Sequence, residues 1–322
     1  MNGATPSSAA ALWPATLAAT SGSLLVGFMP LMARHLYADG IDPPSMLLWR
    51  YLIALPALAL AAGAMRVDPI AAWRDGAWRI VLVGATLGVG QTVTFWESIK
   101  TLDTGVAALL FYTYPALTLA LDRIWFKRPI RRRAAVCVAM ILVGAAFIAV
   151  PGLRGGNLDL RGLAWAIPSP LIYVFYLATN SVLLRRQKPL AGAFCIYFGM
   201  AIAFGIIGWC NGVDVPPTSE AWWLMVVAAL GPGALVITLF SFSVPRLGPS
   251  SYAIIASLEL VTVVTVGVVA LGETMTPERA AGGVLILAGV IGYGLSRKPQ
   301  AAPPVASLLK KSQAGRGVRV GG

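Results

Sequence analysis

The sequence predicts an all-α membrane protein whose ten spanning helices form two five-helix repeats of opposite orientation. Three observations predict it. The 322-residue chain is 57% apolar and only 12% charged, whereas a soluble fold carries about 25% charged residues to coat its surface. The apolar residues fall into ten runs, each long enough to cross roughly 30 Å of hydrocarbon at about 1.5 Å per residue. A shift of 145 residues then brings the second half of the chain into step with the first. The net charge of +12 sits in short clusters between apolar runs, which reports topology and gives no reason to expect a nucleic-acid partner. Three cysteines (Cys137, Cys195, Cys210) and one histidine (His35) argue against a disulfide scaffold or a thiolate or imidazole metal site. No metal and no cofactor is expected.

In chain order, residues 1–10 read as a short tail, followed by a first helix from Ala11 to Ala33. That helix is too long, and too free of preceding cations, for a cleaved signal peptide. Helices follow at Pro43 to Met65, Ile80 to Trp96, Thr104 to Leu121 and Ala134 to Leu153, closing a first repeat over 11–153. A second repeat over 160–296 contains Gly162 to Leu184, Leu190 to Cys210, Ala221 to Pro245, Leu247 to Leu271 and Ala280 to Ser296. Residues 297–322, with Pro, Gly and six cations, read as a disordered basic tail with weak attraction to anionic lipid. Of the 25 Lys and Arg, 19 fall on the side that holds both tails, 5 on the other and one, Arg50, inside the second helix. The positive-inside rule therefore places both termini in the cytoplasm.

The 145-residue shift superimposes helices three to five on eight to ten without a gap from Gly84 to Val150. Gly88 meets Gly233, Phe95 meets Phe240, Ser98 meets Ser243, Leu102 meets Leu247, Ala108 meets Ala253 and Gly144 meets Gly289. Five helices per repeat is an odd number, so the second copy enters the membrane from the opposite face. Charge follows: Lys127, Arg128, Arg131, Arg132 and Arg133 correspond to Gly272, Glu273, Thr276, Pro277 and Glu278. Inverted repeats are a signature of secondary transporters, whose halves exchange conformations to open alternately to either side.

On these residues the chain resembles the drug/metabolite transporter superfamily, in its ten-helix branch with two EamA-type domains, over about Leu12 to Ser296. The resemblance is carried by Leu48-Trp49-Arg50-Tyr51, by Ala108-Leu109-Leu110-Phe111-Tyr112-Thr113-Tyr114-Pro115, by Leu258-Glu259-Leu260-Val261 and by Leu271-Gly272-Glu273. Lys127-Arg128 stands where the first half of that family often has Gly-Glu, and Leu260 where the second half often has Pro. The latter departure implies a straighter ninth helix. The resemblance implies export of small organic solutes, such as amino acids or related metabolites, by alternating access.

Glu259 is the sharpest single-residue signal. It lies twelve residues from each end of the ninth helix, where a carboxylate costs roughly 2.5–3.5 kcal/mol to insert and must face a cavity or a partner. That suits proton coupling or recognition of a cationic group; the plainer reading is a carboxyl that ties helices together. The repeat pairs Glu259 with Tyr114, so Tyr112, Tyr114 and the hinge candidate Pro115 mark the middle of the fourth helix, where proline removes a donor and loosens the backbone. Arg50, seven residues into the second helix, either snorkels to headgroups or pairs through its planar fork with a carboxylate on the solute or on Glu259.

Trp165, Ser169, Tyr173, Tyr176 and Asn180 form one stripe of the sixth helix, with Pro170 a second hinge candidate. Trp13, Thr16, Thr20 and Ser23 form another on the first. Such stripes face a bundle interior as cavity walls or pack helices through small hydroxyls. Gln91 is a further lining candidate. Glu97, Lys100 and Asp103 read as interfacial anchors, and Asp122 with Arg123 as a local pair. The candidate substrate-binding set is thus Arg50, Gln91, Tyr112, Tyr114, Trp165, Tyr173, Tyr176, Glu259, Trp13 and Thr20, with Glu259 for coupling, protons as the coupling ion and a small solute as the partner. An intramembrane enzyme is the rival class, but no paired acids or histidine motif lie on a span. A passive facilitator is the other rival.

Overall fold

The computed structural model describes residues 9–296 except 69–71, 103, 125, 126, 128, 154–158 and 273. The expected terminal tails, apart from Ala9 and Ala10, and Asp103, Arg128 and Glu273 lie outside the described residues. Those residues form helices and connecting turns, with no strand among them.

The first run breaks at Gly27 and Phe28 into α1 (Ala9–Val26) and α2 (Met29–Ala38). Helix α3 (Pro43–Ala64) starts where Asp42 accepts the Ser45 amide at 2.8 Å and Pro43 fills the first turn, whose missing N–H is no loss. The third run contains α4 (Trp78–Val83), a wide π-turn at Gly84–Gly88 and α5 (Val89–Ile99). The fourth is interrupted at Tyr112 and Thr113, giving α6 (Thr104–Phe111) and α7 (Tyr114–Ile124). Helix α8 (Arg132–Leu153) completes the first half.

The second half opens with α9 (Leu160–Ala166), capped by Asp159, and α10 (Pro168–Leu183). Next come α11 (Pro189–Asn211), then α12 (Ser219–Ala228), a π-turn at Ala229–Leu235 and α13 (Val236–Leu247). Pro232 lies within that π-turn; it has no N–H to give, and its ring crowds the carbonyl four residues back. The last are α14 (Pro249–Ala256), α15 (Leu258–Leu271) and α16 (Pro277–Ser296).

Nine helical stretches of the described residues are long and apolar enough to cross a membrane. The expected fourth span is not among them; it comprises the short helices α6 and α7. The ninth helix, which Leu260 in place of proline implied to be straighter, lies in one apolar stretch from Pro249 to Ala270. Its helical run is broken at Ser257, between α14 and α15. Glu259 falls in the first turn after the break.

The irregularities repeat at the sequence offset. Adding 145 to Gly84 and Gly88 gives Ala229 and Gly233 inside the second π-turn, and adding it to the Tyr112 break gives the Ser257 break. The first residues of α6 and α8 map onto those of α14 and α16. Helices α8 and α16 pack closely, and the contact is reciprocal. A Cβ on Gly144 would fall 2.6 Å from the Gly282 carbonyl oxygen and 2.8 Å from Ile286. One on Gly289 would fall 2.8 Å from the Cys137 carbonyl oxygen and 3.0 Å from Ile141. Cys137, Ile141 and Gly144 plus 145 are Gly282, Ile286 and Gly289, so each helix offers the other the same surface. Likewise α3 packs on the second-half π-turn and α11 on the first-half one.

The outer faces carry Leu60, Ile206, Trp209, Trp223, Val269 and Leu295, all largely exposed, as befits a surface solvated by acyl chains.

Candidate functional site

The two interrupted helices meet at the middle of the bundle. Pro115 is the second residue of α7, so it does not bend an established helix; it starts a new one, and the break lies just before it at Tyr112 and Thr113. Across from it, the Ser257 break places Glu259 in the opening turn of α15. Tyr112 stands within hydrogen-bonding reach of the Glu259 carboxyl, and Tyr114 within reach of Ser257. The Glu259 charge also bears on Tyr114, Tyr173 and Tyr252. The break in the first run joins the same place: a Cβ on Gly27 would clash with Thr262 Cβ and fall 3.1 Å from the Glu259 carbonyl oxygen, so glycine lets the first run pack this closely on α15. Four tyrosines within the electrostatic reach of Glu259 and three helix breaks therefore gather about one acid.

From this point an aromatic chain runs through the bundle. Ring centroids are 4.9 Å apart for Tyr114 and Tyr173, 6.1 Å for Tyr173 and Tyr176, 5.6 Å for Tyr176 and Phe240, and 5.2 Å for Phe240 and Tyr252. Phe111 packs against Tyr112, Tyr114, Tyr173 and Phe95. Tyr176 then lies near enough to Tyr51 and Tyr197 to interact electrostatically with both. Those two rings pack edge to face at 4.9 Å.

Arg50 lies beyond them. Its guanidinium sits 5.1 Å from the Tyr51 ring centroid, its Nη2 donates to the Tyr51 hydroxyl at 3.3 Å, and its stem lies against Gly233 of the second-half π-turn. Tyr197 is within hydrogen-bonding reach. The buried Nε has no partner. A guanidinium in this setting does not reach for headgroups, and no ion pair joins it to Glu259. The site thus holds one cation and one acid apart, with tyrosines between them.

Of the other expected lining residues, Tyr176 is buried, while Tyr173, Gln91 and Thr20 are half-buried. Ser169 is fully buried and donates to the Gln91 carbonyl at 3.3 Å; Pro170 is buried beside it. Trp13 and Trp165 lie elsewhere, 62% and 46% exposed on the outer face. Glu97 and Lys100 pair at 2.6 Å at the end of α5. Asp122, read as a partner for Arg123, is instead buried and accepts from Ser250 at 2.5 Å, while Arg123 is exposed.

Tyr51, Tyr197, Phe240, Tyr252 and Gly27 were not anticipated. Two of them carried a signal: Phe240 is the repeat partner of Phe95, also in the aromatic chain, and Tyr252 precedes Glu259 by seven residues, two helical turns. A small apolar crevice of about 40 Å³ adjoins the site, lined by Ala108, Leu109, Tyr112, Ala145, Ile148, Ala149 and Leu260.

Comparison with known proteins agrees with this architecture. The threonine/homoserine exporter RhtA of Escherichia coli K12 is 26% identical over 67% of this chain and 71% of its own length. RhtA of Salmonella typhimurium LT2 is 25% identical over 69% and 73%. The uncharacterized inner membrane transporter YhbE of Escherichia coli K12 is 24% identical over 58% of this chain and 60% of its own. A solved protein crystal structure superimposes with a TM-score of 0.73 over 92% of this chain and 98% of its own at 18% identity, which speaks for the fold alone. The model of the EamA-like transporter family matches twice, over residues 13–150 and 160–295. With two such domains along its length, the chain is an integral membrane protein that belongs to the EamA-like transporter family of the drug/metabolite transporter superfamily.

Proposed function

We propose that the protein exports small amino acids or closely related zwitterions across the inner membrane by alternating access between two inverted five-helix repeats. The observation that carries this reading is the separation of Arg50 from Glu259. Two opposite charges that could neutralise each other are held apart by aromatic side chains, and the guanidinium keeps a buried donor free. Each pole suits one end of a zwitterion, and the solute engages them in turn: its carboxylate meets the guanidinium through charge-assisted hydrogen bonds in one state, and its ammonium group meets the acid in the other. Tyr51, Tyr112, Tyr173, Tyr176 and Tyr197 wall the path between.

The repeated π-turns, the repeated helix breaks and the reciprocal α8–α16 contact support two inverted halves, and interrupted helices near the midplane are where such transporters bind. The relatives named as threonine/homoserine exporters support this substrate class. The distribution of Lys and Arg supports cytoplasmic termini. Glu259 serves twice in this reading, taking the solute's ammonium group in one state and a proton in the other.

The test uses the full chain in inside-out proteoliposomes with an acidic lumen. Threonine accumulates against its gradient and the accumulation is lost when the proton gradient is collapsed. Glu259→Gln suppresses driven accumulation at least tenfold while leaving more of the solute exchange intact. Passive equilibration, indifferent to the proton gradient, would overturn the reading in favour of a facilitator. Driven flux equal to the parent's in Glu259→Gln would remove that residue from coupling.

A further inference from the structure

Asp122 occupies the last turn of α7 and Ser250 the first turn of α14. Both are buried, and they belong to opposite halves of the chain. The Ser250 hydroxyl donates to Asp122 Oδ2 at 2.5 Å, and Ser250 Oγ stands 3.1 Å from the Thr118 carbonyl oxygen. Thr118 is itself fully buried. A carboxylate that accepts a hydroxyl hydrogen bond away from water is held by a strong, directional contact, and separating the pair costs that charge-assisted bond. The contact lies at the basic end of the bundle, between the exposed Arg246 just before it and Arg131, Arg132 and Arg133 after α7.

The repeat makes this contact one-sided. Adding 145 to Asp122 gives Gly267, and subtracting it from Ser250 gives Gly105. The equivalent meeting at the opposite end would therefore join α15 to α6 through two glycines, which have no side chains to bond. Two halves related by an inverted repeat would leave the states closed at either end close in energy. A hydrogen bond present at one end and absent at the other breaks that balance.

We propose that the Asp122–Ser250 contact is the latch that closes the cytoplasmic end, and that its one-sidedness makes the inward-closed state the resting state. This rests on the alternating-access reading above. Opening toward the cytoplasm requires α7 and α14 to part and exposes Asp122 to water, where its carboxylate attracts the ammonium group of an arriving zwitterion. Export then starts only when solute and hydration together replace the Ser250 hydroxyl. Loss of the latch shifts the ratio of open to closed forms at that end by tenfold or more, the worth of one charge-assisted hydrogen bond.

The experiment reads that ratio directly. The full chain, with Cys137, Cys195 and Cys210 replaced by alanine, carries nitroxide labels at Ile124→Cys and Arg246→Cys. Both sites are exposed, at the ends of α7 and α13. In lipid nanodiscs, double electron–electron resonance yields a major short and a minor long distance in the parent. Ser250→Ala and Asp122→Asn each raise the share of the long distance about tenfold, the double variant adds little more, and Ser250→Thr, which keeps a hydroxyl, holds the parent's ratio. An unchanged ratio in both single variants overturns the latch. So does a featureless broadening without growth of the parent's own long distance, because that reports loosened packing. A parent with a single distance, with and without saturating threonine, overturns alternating access itself.

Discussion

A charged side chain in the middle of a bilayer survives only with a purpose or a partner, and the structure separates these for the two buried charges of the central site. Arg50 has tyrosines about it and an unsatisfied Nε; Lys in its place keeps the charge but loses the planar fork. Arg50→Lys is therefore expected to weaken threonine binding about tenfold and Arg50→Ala further, as read from ligand-induced thermal stabilisation of the purified protein. The Tm without ligand should move little in Arg50→Lys. At the other pole, Tyr112→Phe keeps the ring and removes the hydroxyl that reaches Glu259. It is expected to leave threonine binding within about twofold and to lower proton-driven accumulation several-fold in proteoliposomes. Both charges were legible in the sequence because their positions within apolar runs made them costly. The tryptophans show where the same logic misleads. Trp165 shares a helical stripe with Tyr173 on paper, but the chain turns at Ile167, so the face it occupies does not continue into α10. Trp13 lies near the beginning of its helix, where an exposed indole suits the membrane interface.

At the scale of helices, lengths and order follow from hydropathy, whereas breaks do not. Pro115 signals the interruption before α7, and the π-turn at Ala229–Leu235 contains Pro232. Nothing comparable marks Ser257; its break is set by the neighbours, with Tyr114 reaching Ser257 and the Gly27 turn lying against the Glu259 backbone. Tertiary contact rather than local propensity decides that element. Helix pairing is also decided by a few close approaches. A Cβ on Gly282 would meet the Gly144 carbonyl oxygen at 2.5 Å, a backbone atom that cannot rotate away, while one on the adjacent Gly283 meets nothing within 4 Å. Gly282→Ala is expected to destabilise the protein by about 1–3 kcal/mol, the usual cost of overpacking. Gly283→Ala should be neutral or mildly stabilising, because alanine favours helix. Thermal unfolding of the two variants in the same detergent makes the comparison, and equal Tm values would show that α8 and α16 do not meet this closely in the membrane.

For the whole molecule, inversion depends on counting. The second half is upside down relative to the first only if the first half crosses the bilayer an odd number of times, and the crossing at issue is the fourth, since its two short helices, Thr104–Phe111 and Tyr114–Ile124, are not among the stretches long and apolar enough to span. Stacked end to end they span; folded back as a re-entrant hairpin they would leave four crossings in the first half, and the two halves would point the same way. Charge argues for stacking, because Arg131, Arg132 and Arg133 follow the pair while their counterparts in the second half are uncharged or acidic. Packing argues likewise, because α6 lies against α8 and α7 against α14, helices that the hairpin would have to leave. Single cysteines placed at the exposed Lys100 and Arg133 in a cysteine-free chain decide the matter. A membrane-impermeant maleimide applied to intact cells should label Lys100→Cys, whereas Arg133→Cys should react only after the cells are permeabilised. Reaction of both from outside, or of neither, would mean an even number of crossings, and with it the reciprocal α8–α16 surface would need an explanation other than an inverted pair.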